Sequence, residues 1–315
     1  MFAAEIKSRI GEDISILIKP ENYSYNFICE CGDASDLTVK ECQNTEAIFI
    51  SHTHIDHFVN FDTILRHQIG IQRRVIICGP EGITNQVQSK IKAYQWNLIE
   101  ENAIVYEVRE IKNDKSIICS EIRPAAWDII PLEQELEHLY SNDKFYVEFE
   151  ILDHKTPSIA YLFKERDTLK IDITKSNFKG GAWVNTLKEA FNSQNQEALI
   201  TIENQTFTAK ELYHLLEIKK GDALGIIMDH AANPSNHDKI QERFQNTNTV
   251  YIECFYKNED QAQAEMNFHS FSKASAAIMK RSKVKNAIPV HFSRKYKEED
   301  IQMILQEFNE VFTSL

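Results

Sequence analysis

Ala47-Ile48-Phe49-Ile50-Ser51-His52-Thr53-His54-Ile55-Asp56-His57 carries the decisive signal in this 315-residue chain. The first four residues are a continuous apolar run that reads as a buried strand. The residues that follow bring four side chains able to bind a metal ion, His52, His54, Asp56 and His57. In an extended segment His52 and His54 share a face, while Asp56 and His57 lie beyond the strand, where the chain can curl back toward them. Neutral imidazole and carboxylate, with no thiolate nearby, suit Zn²⁺ first, with Mn²⁺ or Fe as alternatives, and two ions could be served. A polar loop that happens to be rich in histidine is the competing reading. Four ligand types in register directly after a strand weigh against it.

With 43% hydrophobic and 26% charged residues the chain can bury a large core. Glu5, Lys7, Arg9, Glu12 and Asp13 interrupt the apolar residues between Met1 and Pro20, and no later run reaches membrane-spanning length. The expectation is a cytoplasmic protein with no membrane association. Six cysteines (Cys29, Cys31, Cys42, Cys78, Cys119, Cys254) form no C-x-x-C pair and mostly sit in strand-like runs, which reads as reduced, buried thiols. A net charge of −12 means that a polyanion such as RNA would need a local basic patch.

Strands are expected at Ile14 to Ile18, Tyr25 to Cys31, Ala47 to Ile50, Val75 to Cys78, Ala103 to Val108, Ser116 to Ile122 and Phe145 to Leu152. Helices are expected at Asp62 to Gln68, after Gly79-Pro80-Glu81-Gly82, and at Ser272 to Arg281. Alternating strands and helices point to a layered α/β architecture. Further polar residues stand where strands end. His154 follows Leu152-Asp153 and could supply the third ligand that His52 and His54 need. Asp229 follows Ala223 to Met228 and reads equally well as a bridging carboxylate or as a cap or turn residue ahead of Asn233-Pro234. Glu253, His269 and the block His291-Phe292-Ser293 continue the pattern.

These blocks, in this order, resemble the ribonuclease Z branch of the metallo-β-lactamase superfamily from Asn26 to Tyr296. The resemblance is carried by Ser51 to His57, Gly79-Pro80, Leu152-Asp153-His154 with Pro157-Ser158 and Tyr161, Asp229, Glu253, His269, and His291-Phe292-Ser293-Arg294-Lys295-Tyr296. It implies the four-layer αββα sandwich as one hydrolase domain over 1–315, with 164–222 as a cap or reduced-arm insertion. By the same resemblance His52, His54 and His154 hold one ion, Asp56, His57 and His291 the second, and Asp229 bridges them. Two cations about 3.5–4 Å apart can activate a shared water and stabilise charge on a phosphoryl group. His269 would face the scissile phosphate with Glu253 orienting its ring. Asp56, His269 and Glu253 are thus the catalytic candidates, and Ser293 and His230 are candidates for substrate contact. A homodimer is also implied.

The chain departs from the family pattern at four places. Glu253-Cys254-Phe255 replaces the usual Glu-Ala-Thr, Phe58-Val59-Asn60 replaces a small glycine-containing turn, and His230 stands where threonine is common. Residues 164–222, where the family has a basic, glycine- and proline-rich arm, hold nine Lys or Arg against nine Asp or Glu. An RNA-gripping arm should be a cationic stripe, so a packed cap with helices at Ala182 to Phe191 and Ala209 to Leu216 is expected. The expected reaction is hydrolysis of a phosphodiester, in tRNA 3′-end processing or a related phosphodiesterase. The alternative is a small substrate, a cyclic nucleotide or another ester or thioester, with no RNA role.

Overall fold

Period-two alternation sorts the strand residues of this chain into layers. In the computed structural model, which describes residues 2–314, Ala47 and Phe49 enter one buried cluster while Ile48 and Ile50 enter another. Phe27 and Cys29 divide from Ile28 in the same way, as do Ile16 and Ile18 from Leu17. These strands belong to an eight-stranded sheet in simple sequential order: Phe2–Ile6, Ile16–Pro20, Asn26–Cys29, Thr45–Phe49, Arg74–Pro80, Val105–Ile111, Ile117–Ile122 and Ile129–Leu132. Its middle pairs, from Asn26–Cys29 to Val105–Ile111, are parallel, and each crossover carries a helix.

A second, six-stranded sheet orders Asn286–Val290, Thr249–Glu253, Ala223–Ile227, Pro157–Glu165, Phe145–Asp153 and Tyr140–Ser141. Ile159, Tyr161 and Phe163 join the first cluster, whereas Ala160 and Leu162 join a third. The first cluster is therefore the seam between the sheets. Helices Phe61–Gln68 and Ile83–Lys92 cover the outer face of the first sheet through Ile64, Leu65, Val87 and Ile91. Pro234–Phe244, Ser272–Arg281 and Glu298–Phe312 cover the second through Ile240, Phe244, Met279, Ile304 and Phe308. The result is the αββα sandwich expected from the sequence. All six cysteines are buried and free, and among the described residues no helix is long and apolar enough to cross a membrane.

Glu165–Gly221 forms a separate compact unit, inserted between two strands that pair antiparallel, Pro157–Glu165 and Ala223–Ile227. It has its own apolar cluster of Trp183, Leu187, Ala190, Ile200, Ile202, Ala209, Leu212 and Leu215. Helix Trp183–Asn192 falls where it was expected. The helix expected over Ala209 to Leu216 is corrected: it stops at Leu212, passes through one 3₁₀ turn, and becomes the strand Leu216–Lys219. Leu216-Glu217-Ile218-Lys219 alternates apolar and charged residues and pairs with Thr168–Ile171, so strand pairing overrides the helical spacing of the leucines.

Gly32 fixes the loop that follows Asn26–Cys29. Its N–H donates to Ile14 O at 3.0 Å, and a Cβ there would collide with the backbone of Asp13 and Ile14. Gly32→Ala should cost about 1–3 kcal/mol of stability by overpacking. Urea unfolding at fixed metal concentration checks this, and an unchanged midpoint would show that the loop yields.

Candidate metal centre

Five side chains of the centre stand at or just past a strand's C-terminal end. His52 and His54 follow Thr45–Phe49, His154 follows Phe145–Asp153, Asp229 follows Ala223–Ile227, and His291 follows Asn286–Val290. Ser51 O accepts from Ile159 N at 2.8 Å, which ties the histidine stretch to the second sheet. Asp56 and His57 lie on the short helix Ile55–Phe58, where the chain curls back. Asn233 caps the helix Pro234–Phe244 by accepting from Asn236 N, with Pro234 in its first turn. That leaves Asp229 with no capping role at this helix, and its carboxylate faces the histidines.

Besides a group of Asp229 with Glu253 and His269, two groups of potential ligands result, His52, His54, His154 and Asp229 in one, Asp56, His57 and His291 in the other. Within each group the ligand atoms lie within 4.8 Å of one another. The Asp229 carboxylate faces both. Its Oδ2 is 3.8 Å from His52 Nε2 and 3.5 Å from His154 Nε2, while its Oδ1 is 3.3 Å from His57 Nε2 and 2.8 Å from His291 Nδ1. Despite these approaches His52 Nε2, His57 Nε2, His291 Nδ1 and Asp229 Oδ1 are buried without an aligned hydrogen bond. Buried polar atoms are ordinarily satisfied. A converging set of orphaned imidazole nitrogens around an orphaned carboxylate oxygen is the donor chemistry of a divalent cation, and the residues present fit one.

Partners behind the rings hold them in place. His52 Nδ1 is 3.0 Å from Ser51 Oγ, His154 Nδ1 donates to Phe268 O at 2.6 Å, and His57 Nδ1 donates to Glu30 Oε2 at 2.9 Å. Each bond leaves the ring's other nitrogen free to ligate. Glu30 also accepts from Ser51 N at 3.0 Å and from Ser51 Oγ at 3.1 Å, and none of it is exposed. The sequence reading left Glu30 inside the expected strand Tyr25 to Cys31 and gave it no role. The signal was nevertheless there, a carboxylate directly after an apolar strand, as Asp229 is. Glu30 and His291 both hold left-handed φ, 66° and 57°, a conformation that costs non-glycine residues energy and is kept where surrounding structure demands it.

Burial, reinforced by the nearby His57, pushes His52 well below the ordinary imidazole range, and burial lowers His54. His57 and His291 go the other way. Burial alone would lower them, but the carboxylates beside them together outweigh it, Asp229 with Glu30 at His57 and Asp229 with Asp56 at His291, so His57 is held well above its usual value and His291 rises to about 9. Asp229 is correspondingly held well below the carboxylate range by His291 and His57, against its own desolvation. A cation in the centre competes with those protons.

Beside the two groups, His269 Nδ1 donates to Glu253 Oε1, and Glu253 Oε2 accepts from His230 N at 3.0 Å and Ser270 N at 3.1 Å. Glu253 is fully buried, and despite its desolvation the His269 charge lowers its carboxyl. His269 is raised in turn, Glu253 and Asp229 outweighing burial. The His230 ring is wholly buried with Nδ1 donating to Met228 O at 2.9 Å, so substrate cannot reach it. That corrects the expectation of a contact there, and what His230 contributes is its backbone N–H to Glu253. Ser293 is 8% exposed, and its Oγ accepts from Lys295 N at 3.4 Å.

No family model matches the chain. It is 23% identical over 294 residues to the ribonuclease Z of Deinococcus radiodurans, covering 90% of this chain and 87% of that one. To the ribonuclease Z of Borrelia recurrentis it is 28% identical over 305 residues, covering 93% and 84%. Among solved structures, human tRNase Z, short form, superposes with a TM-score of 0.57 at 15% identity, over 90% of this chain and 87% of that one. The metallo-β-lactamase fold protein YhfI from Bacillus subtilis gives 0.55 at 11% identity, over 96% and 86%. At such identities the structural likenesses speak for the fold.

Proposed function

For a chain of the metallo-β-lactamase superfamily, in its ribonuclease Z-like branch, we propose metal-dependent hydrolysis of phosphodiesters, with the 3′ trailer of precursor tRNA as the substrate. The observation that carries this reading is the Asp229 carboxylate, whose two oxygens face two separate ligand groups. The ribonuclease Z relatives, similar along about nine-tenths of the chain, support the substrate.

His52, His54 and His154 would hold one ion, Asp56, His57 and His291 the other, and Asp229 both. Two divalent ions, zinc by the donor set, would supply Lewis-acid stabilisation of phosphoryl charge and acidify water. Asp56, whose side chain is 34% exposed, is the open carboxylate that can take the proton of attacking water. His269 is anchored at Nδ1 by Glu253 and presents Nε2 to the leaving oxygen, to which it gives a proton. Ser293 flanks this group as a substrate contact. The same resemblance supports a cytoplasmic homodimer, built as one hydrolase domain with Glu165–Gly221 as its insertion.

One observation favours a second reading, a small phosphodiester in place of RNA: the charge balance of residues 164–222 offers no cationic stripe. Metal-loaded protein assayed on precursor tRNA with a 3′ trailer and on bis(p-nitrophenyl) phosphate separates the two. At low salt and at about 0.15 M, where charges beyond roughly 8 Å are screened, efficient trailer removal is expected. Turnover of the small diester alone would overturn the RNA assignment and leave the reaction class standing.

A further inference from the structure

Phe255 stands two residues after Glu253, where the resembled family carries threonine, and its side chain is neither a ligand nor an acid or base. Its half-buried ring lies flat on the His269 imidazole, with centroids 3.9 Å apart and planes within 5°. The same ring meets His291 at 5.1 Å and 43°, and Tyr256 packs edge-on against it at 5.0 Å and 74°. Phe255 is itself anchored, since its carbonyl accepts from Ser293 N at 3.1 Å. The His269 ring therefore has one hydrogen bond, at Nδ1 to Glu253, and one parallel aromatic face, that of Phe255, while His154 and Tyr256 meet it only at steep angles. A ring held at a single nitrogen can still rock about that bond, and a flat neighbour in van der Waals contact removes the freedom.

We propose that Phe255 is a positioning residue for proton donation by His269: its ring sets the imidazole plane so that Nε2 meets the leaving oxygen. The proposal deepens the phosphodiesterase reading and rests on it. In the step concerned, water oxygen bonds to phosphorus and the bond from phosphorus to the leaving oxygen breaks, its electron pair staying on that oxygen. The His269 Nε2 proton passes to the leaving oxygen, and the water proton goes to Asp56. Threonine leaves no flat face for His269, so this chain fixes the ring by a device of its own.

The test uses full-length, metal-loaded protein and two diesters that differ only in the group expelled, methyl phenyl phosphate and methyl p-nitrophenyl phosphate. p-Nitrophenolate leaves readily without a proton, whereas phenolate gains from one. Phe255→Ala should lower kcat on methyl phenyl phosphate about tenfold or more, leaving KM, metal content and the nitrophenyl ester within about twofold. Phe255→Leu, which fills the space without a flat face, should behave like alanine, and Phe255→Tyr should restore the rate. In a His269→Ala background Phe255→Ala should cost nothing further, because a residue acting only through another has no effect once that residue is gone. Equal losses on the two esters, or a further loss in the His269→Ala background, would overturn the proposal. Failure of the wild-type protein to hydrolyse both esters and precursor tRNA when metal-loaded would overturn the phosphodiesterase reading itself, and this proposal with it.

Discussion

Asp229→Ala should remove metal retention and diester hydrolysis together. The carboxylate is 1% exposed and approaches both ligand sets, with Oδ2 toward His52 and His154 and Oδ1 toward His57 and His291. Without it the two sets lose the negative charge between them, and two dications held side by side would repel each other with less to offset it. Charge stabilisation by bound metal is worth several kcal/mol, and at about 1.4 kcal/mol per tenfold the loss in kcat/KM should reach about 10³-fold or more. Metal content per chain, measured after gel filtration without added metal, should fall with the rate. Asp229→Asn keeps the shape with one neutral oxygen acceptor and should retain part of the metal but little activity. If the alanine variant kept both its metal and its rate, the shared-ligand assignment would be wrong.

How far the centre could be read from sequence depends on whether its evidence was local. His52, His54, Asp56 and His57 fall within one short stretch after an apolar run, so the strand period and the chemistry of the side chains were enough to single them out. The layers were legible for the same reason, since Ala47 and Phe49 alternate with Ile48 and Ile50. Asp229 was not decided locally, because a carboxylate ahead of Asn233-Pro234 suits a cap as well as a ligand. Only the fold shows that Asn233 takes the capping role. Phe255 was noticed as a departure, but an aromatic residue after a strand reads as core, and its stacking on His269 is a contact across 14 residues of chain. Leu216–Lys219 misled because leucines at helical spacing run into a strand whose partner lies more than 40 residues earlier. The helix Glu298–Phe312 went unread although Ile301, Ile304 and Phe308 carry its period.

Glu30 is the clearest test of what the fold adds, because the sequence reading passed over it. Its carboxylate is wholly buried and accepts from Ser51 N and Ser51 Oγ and from His57 Nδ1. It therefore fixes the start of the histidine stretch and the tautomer of one member of the second ligand group. In Glu30→Gln one acceptor oxygen becomes an NH₂ donor. If that group faces Ser51 N, two donors meet in the core. If it faces His57, the ring relieves the clash by accepting at Nδ1, which moves its proton to Nε2, the nitrogen that would ligate. Changes of this kind behind a metal ligand cost about 10–100-fold in affinity or activity. The loss should fall on one ion of the two, read as a drop from two metals to one per chain with the His52, His54 and His154 set still loaded. Glu30→Ala goes further, removing the partner of a buried histidine and leaving Ser51 N unpaired, and should cost about 3–5 kcal/mol of stability. Because the two substitutions separate metal loss from unfolding, a glutamine variant that keeps both metals and full activity would mean that His57 does not need Glu30 to present Nε2.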